Sequence, residues 1–232
     1  LQFFFDFFTF IKKIMHRISL FVVLEIAIAH LCTAQVQVSE EPRHHDVLDN
    51  SWVRILDVHI PPGDTSLFHK HSTPSVFLIL SNTKTGSEVL VEPRKLSFAP
   101  GNIFFEGFYD KPRIHRVWNA DTIEFHAMDI ELPHANPQTI DPPIGQPSFS
   151  LLFDDKPVRG YRVNLASGQS FRLAHRKSPV VIIGLSDSVR DVKVNATGFG
   201  KKGDYLFLPA GTDMDFANKG TLNMQFAFFE LK

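Results

Sequence analysis

Apolar, β-branched and aromatic residues recur along this chain in short runs: Trp52 to Ile60, Ser75 to Leu80, Ser87 to Val91, Asn102 to Phe105, Ile114 to Trp118 and Thr122 to Leu132. Gly, Pro, Asn and Asp separate the runs, and few segments hold a helical period. The pattern predicts an all-β protein. Pro133 to Pro147 carries five prolines and no strong periodicity, so 134–150 is expected to be a linker between a first half at 47–133 and a second at 151–232. The polar stretch 35–46 is expected as an N-terminal arm.

The second half repeats the first. Val53-Arg54, Val58 and Gly63 recur as Val158-Arg159, Val163 and Gly168, an offset of 105, and Thr122 to Leu132 recurs as Thr221 to Leu231, an offset of 99. The change of six falls between matched strands, where a loop tolerates it and a strand does not.

At 232 residues with 44% hydrophobic content, the chain can bury one large core or two small ones. Lys and Arg number 24 against 25 Asp and Glu, and no basic run is interleaved with aromatics, so nucleic acid is not an expected partner. Residues 1–34 are expected to be a leader and signal peptide. Met15 is a candidate start, His16 and Arg17 form a short basic region, Ile18 to Leu31 is mostly apolar, and Cys32-Thr33-Ala34 suits cleavage before Gln35. Glu25 and His30 interrupt an apolar run already too short to span comfortably, so the expectation is a periplasmic or secreted protein with no stable membrane span. Cys32, the sole cysteine, allows a lipoprotein reading, ranked second because Leu31 is bulky for that role. Cleavage after Ala34 leaves no thiol for disulfides, metal or nucleophilic catalysis.

The candidate chemistry lies in histidines. Gly63 to His71 is a turn glycine followed by His69-Lys70-His71. In a strand, the period of two puts both imidazoles on one face, close enough to share a metal ion, with Lys70 on the other. His115 opens another apolar stretch, with Arg116 and Trp118 on the opposite face by parity. His44, His45, His59 and His134 have no motif context and are expected at the surface. His126 is either a barrel-interior group or a surface one. Gly184-Leu-Ser186-Asp-Ser188 lacks the final glycine of a nucleophile elbow, which leaves a serine-hydrolase reading without footing.

These residues resemble the cupin superfamily. Gly63, His69 and His71 match the start of its first motif, and His115 and Asn119 the end of its second. Ser75 or Val76 stands where the family has its glutamate, and Gly101 lies three residues further from His115 than the family spacing. In the second copy Gly203, Pro209, Gly211 and Asn218 match the second motif, but Met214 takes its histidine position, and Ala174 and Arg176 take the two of the first. His175 between them is expected to face outward. The resemblance implies two tandem cupin barrels (double-stranded β-helix or jelly roll), the C-terminal one degenerate, with one divalent ion in the N-terminal barrel. That ion would be held by His69, His71 and His115, with Fe(II) favoured over Zn, Ni, Mn or Cu. Glu106, Ser75 and His126 are candidates for a fourth ligand or an outer partner, and Phe108 and Tyr109 for a substrate pocket. The implied function is a dioxygenase-like enzyme acting on a small organic molecule, as monomer or homodimer. The alternative is a non-enzymatic barrel that binds a small ligand, its metal site structural or vestigial.

Overall fold

The computed structural model describes residues 35–90, the backbone of 95–98, and residues 102–133, 141–187 and 192–232. The leader at 1–34, Gly101, His134 and the first part of the expected linker lie outside them. The first half contains β1 (Val36–Gln37), a 3-10 turn (Val38–Glu40), β2 (His44–Asp49), β3 (Arg54–Ile60), β4 (His69–His71), β5 (Ser75–Ile79), β6 (Lys84–Val89), β7 (Lys95–Phe98), β8 (Ile103–Glu106), β9 (Arg113–Asn119) and β10 (Phe125–Glu131). The second contains β11 (Phe149–Asp154), β12 (Val158–Leu165), β13 (Ser170–Leu173), β14 (Val180–Gly184), β15 (Val192–Val194), β16 (Thr197–Phe199), β17 (Tyr205–Leu208), β18 (Met214–Asn218) and β19 (Met224–Leu231).

Each half is a barrel of two facing sheets. The first pairs β1-β4-β9-β6-β7 with β2-β3-β10-β5-β8; the second pairs β13-β18-β15-β16 with β11-β12-β19-β14-β17. The expected arm at 35–46 is thus part of the first barrel: β1 pairs with β4 and β2 with β3. Unpaired backbone at a sheet edge finds partners there, which outweighs the polar composition of the segment. The second barrel likewise begins two residues early, at Phe149.

Repeat positions keep the same bonds. The Asn119 side-chain amide donates to the carbonyls of Ile60 and Ile123, and its oxygen accepts from the Asp121 N–H. Asn218, 99 positions on, donates to Leu165 and Leu222 and accepts from Gly220. Gly63 and Gly168 both turn at positive φ, 76° and 72°, a conformation that favours glycine. Arg54 with Glu131 and Arg159 with Glu230 form matched ion pairs.

The interiors differ. The C-terminal barrel is filled by Tyr161, Phe199, Phe216, Phe226 and Phe228, with Met214 buried among them. His175 is exposed, 67% of its side chain facing solvent, in the loop that follows β13. A third core lies between the barrels, where Ile55, Val76, Leu78, Met128 and Ile130 from one side meet Val181, Ile183, Ala227, Phe229 and Leu231 from the other. Strands β14 and β19 are therefore covered on both faces, which is why their apolar residues run nearly continuously.

One close approach fixes the wall of the first barrel. Gly86 on β6 lies opposite Trp118 on β9, whose indole crosses it; a Cβ at Gly86 would come within 1.9 Å of the ring. Gly86→Ala is expected to displace Trp118 and lower unfolding free energy by about 1–3 kcal/mol in denaturant titration. An unchanged midpoint would contradict this packing.

Candidate metal centre

The first barrel leaves a cavity of about 360 Å³ between its sheets. His69 on β4 lies directly opposite His115 on β9, and His71 is two residues along β4 on the same face. Ring centroids stand 4.9 Å (His69 to His71), 4.6 Å (His69 to His115) and 4.9 Å (His71 to His115) apart, each pair steeply inclined. One ligand atom from each of the three rings falls within 4.8 Å of the others.

Two of the rings are hydrogen-bonded from behind through Nδ1, and the third faces a carboxyl group there. The Leu67 carbonyl, which can only accept, takes the Nδ1 proton of His69 at 2.9 Å. Ser87 Oγ lies 3.2 Å from His115 Nδ1. Asp129 Oδ2 lies 3.2 Å from His71 Nδ1, but not in line for a hydrogen bond. The arrangement turns Nε2 of each ring inward, and the Nε2 atoms of His71 and His115 come within 2.9 Å of one another.

The charge state suits a metal. Burial, and then the imidazoles of His44 and His71, push His69 down to about 3. Burial, and then His69 and His71, push His115 well below its ordinary value. Both rings are therefore neutral donors. Asp129 is buried, and neither its oxygens nor His71 Nδ1 have a hydrogen-bond partner among the described residues. Buried polar atoms left without partners cost free energy. Three imidazole nitrogens turned toward one point, with a carboxyl group behind one of the rings, are a donor set that fits the divalent ion that the resemblance implies.

Sequence reading missed two of the groups around this centre. Asp129 comes from β10, across the barrel. His44 is buried, its Nδ1 2.8 Å from Glu41 Oε2 and its ring 4.7 Å from His69, and it lines the cavity. It faces inward because β2 joins the sheet in register with Val58, contrary to the surface position expected for it. Glu41 at position i−3 in a polar segment was the one available signal.

Other candidates lie away from the three nitrogens. Ser75 Oγ donates to the Thr73 carbonyl at 3.1 Å. Glu106 pairs with Arg113 at 2.8 Å, which draws it off the centre. His126 faces outward from β10, bonded to Asp57 at 2.7 Å, because its neighbours Phe125 and Ala127 take the interior face. Phe108 stacks on His71, centroids 5.6 Å apart, at a positive φ of 50°. It does not line the cavity, and Tyr109 is 60% exposed on an outer depression. The cavity's apolar lining comes instead from side chains that include Phe77, Phe104, Phe125 and Ile79.

Asp129→Asn preserves size and replaces the carboxyl group behind His71 with an amide. It is expected to weaken divalent-metal affinity by about 10–100-fold, read by competition with a chromogenic chelator. Wild-type affinity in this variant would show that Asp129 does not act on the site.

Comparison with known proteins agrees with the architecture. No family model matches the sequence, and no curated protein is similar to it at the sequence level. Solved structures do match in fold. AerE from Microcystis aeruginosa is 10% identical, with 83% of this chain and 98% of that one covered at a TM-score of 0.53. A cupin 2 conserved barrel domain protein from Leptotrichia buccalis is 12% identical, covering 85% and 91% at 0.52. Salicylate 1,2-dioxygenase from Pseudoaminobacter salicylatoxidans, solved as adducts with gentisate, is 12% identical, covering 90% and 78% at 0.54. The chain shares its fold with these solved structures, a cupin barrel protein among them. In this chain the barrel occurs twice, in tandem, with the histidine cluster in the first alone among the described residues.

Proposed function

We propose that the N-terminal barrel holds one divalent ion of the Fe(II) type on His69, His71 and His115 and acts on a small organic molecule, adding both atoms of dioxygen to it. The observation that carries this reading is the convergence of three imidazoles on one point in an apolar cavity. When bound, the ion supplies open coordination positions and, as Fe(II), redox chemistry with dioxygen. The chain's own residues do the rest. Leu67 and Ser87 hold the rings of His69 and His115 in place, and Asp129 and Phe108 flank His71. A cavity of about 360 Å³ suits a small ligand, and Phe77, Phe104 and Phe125 offer it aromatic walls. His44, with Nδ1 held by Glu41, presents Nε2 as the acceptor for a substrate hydroxyl proton. Phenolic acids are the first substrates to try, since the salicylate enzyme of like fold was solved with gentisate.

The test is anaerobic loading with Fe(II), then an oxygen electrode with phenolic acids, diketones and thiols. Expected is one iron per chain and oxygen uptake matching substrate loss. Absence of stoichiometric metal ends the proposal; metal without oxygen uptake favours a ligand-binding barrel. That second reading draws support from the ligand set, in which the nearby carboxylate, Asp129, faces His71 Nδ1. We also propose export, on the leader pattern at 1–34; a secreted or periplasmic product beginning at Gln35 is the expected result.

A further inference from the structure

We propose that the seam between the barrels carries a second divalent-cation site, formed by Asp57, His59 and His126. The three offer ligand atoms within 4.8 Å of one another. They repeat the local geometry of the barrel centre on the other face of the opposite sheet. There, His69 and His71 are two apart on one strand, and His115 lies directly across from His69. Here, Asp57 and His59 are two apart on β3, and His126 on β10 lies directly across from His59. The imidazoles stack with centroids 4.3 Å apart and planes at 17°.

The bonding around Asp57 calls for a positive charge. Glu124 Oε2 lies 3.0 Å from His59 Nδ1, and as a carboxylate it can only accept, so that nitrogen carries the proton. In the neutral ring, Nε2 then points a lone pair at Asp57 Oδ2, 3.2 Å away. The other oxygen, Oδ1, lies 2.7 Å from His126 Nε2. A lone pair facing a carboxylate oxygen is stable with a cation between them, either an extra proton or a metal ion. Two imidazoles and a carboxylate are a donor set suited to Zn(II), Co(II), Ni(II) or Cu(II). The glutamate behind His59 plays the part that Asp129 plays behind His71.

The site is reachable. Asp57, His59 and His126 keep a fifth to a third of their side-chain surface exposed, 26%, 31% and 20%, along a cleft whose opposite wall comes from the C-terminal barrel. Gly203, at a φ of 85°, brings the backbone of that wall against His126: a Cβ there would stand 3.0 Å from Cε1 and 3.3 Å from Nε2. An ion bound here would sit where the two barrels meet.

Calorimetric titration of the chelator-treated full chain with Zn(II) tests this, and the proposal does not depend on the barrel centre. In His69→Ala, which disables that centre, one equivalent is expected; adding Asp57→Asn or His126→Gln should remove it. Asp57→Asn is close to isosteric, and circular dichroism confirms that each variant is folded. In the wild-type background, Asp57→Asn alone should lower the stoichiometry by one. The proposal is overturned if folded His69→Ala protein binds no zinc, or if the equivalent it binds survives both seam substitutions.

Discussion

His115→Ala is expected to abolish stoichiometric metal in the barrel, with affinity falling by more than about 100-fold, a larger loss than an outer-partner substitution gives. The reason lies in the register. His115 is the cross-strand partner of His69, and its Nε2 already stands 2.9 Å from that of His71. Truncation leaves two nitrogens from a single strand, too few to retain the ion against water. Elemental analysis after dialysis reads the loss directly. The fold should survive, because His115 belongs to none of the three apolar cores. Retention of a full equivalent in folded His115→Ala protein would show that the ion sits elsewhere.

Glu41 should govern acid stability. Its carboxylate accepts from the backbone N–H groups of Arg43 and Leu67 and meets His44 Nδ1 at 2.8 Å. Burial alone would raise its pKa, yet the bonds from His44, Leu67 and Arg43 together hold it down to about 2 against an ordinary 4.5. A group depressed on folding contributes stability above its unfolded pKa and loses it as pH falls through the folded value. The contribution, on the order of 3 kcal/mol, is therefore complete above about pH 5 and gone below the folded pKa of about 2. Glu41→Gln should lower stability at neutral pH by a comparable amount and flatten the acid limb across that range. Urea unfolding at a series of pH values measures both; parallel curves for the two proteins would contradict the assignment.

The histidine trio was legible because strand parity and one cross-strand pairing are enough to bring it together. The duplication was legible because apolar positions recur at fixed offsets, and Asn119 and Asn218 do make the same bonds. Asp129 was not legible: nothing along β10 says which of its faces turns toward β4. The strand runs Phe125, His126, Ala127, Met128, Asp129, Ile130, and both faces mix polar with apolar residues because one lines a cavity and the other a second barrel. That ambiguity also left His126 open between interior and surface. His44 failed for a different reason. Its segment is mostly polar, and its burial is decided by pairing with β3, a tertiary event that only Glu41 three residues earlier signals.

The back-to-back packing of β3, β5 and β10 on β12, β14 and β19 also bears on why a copy without a histidine cluster is retained. Deleting the C-terminal barrel would expose Ile55, Val76, Leu78, Met128 and Ile130 together as one greasy wall, a surface prone to self-association. The C-terminal half acts as a buttress, and heat should melt both halves in a single cooperative step.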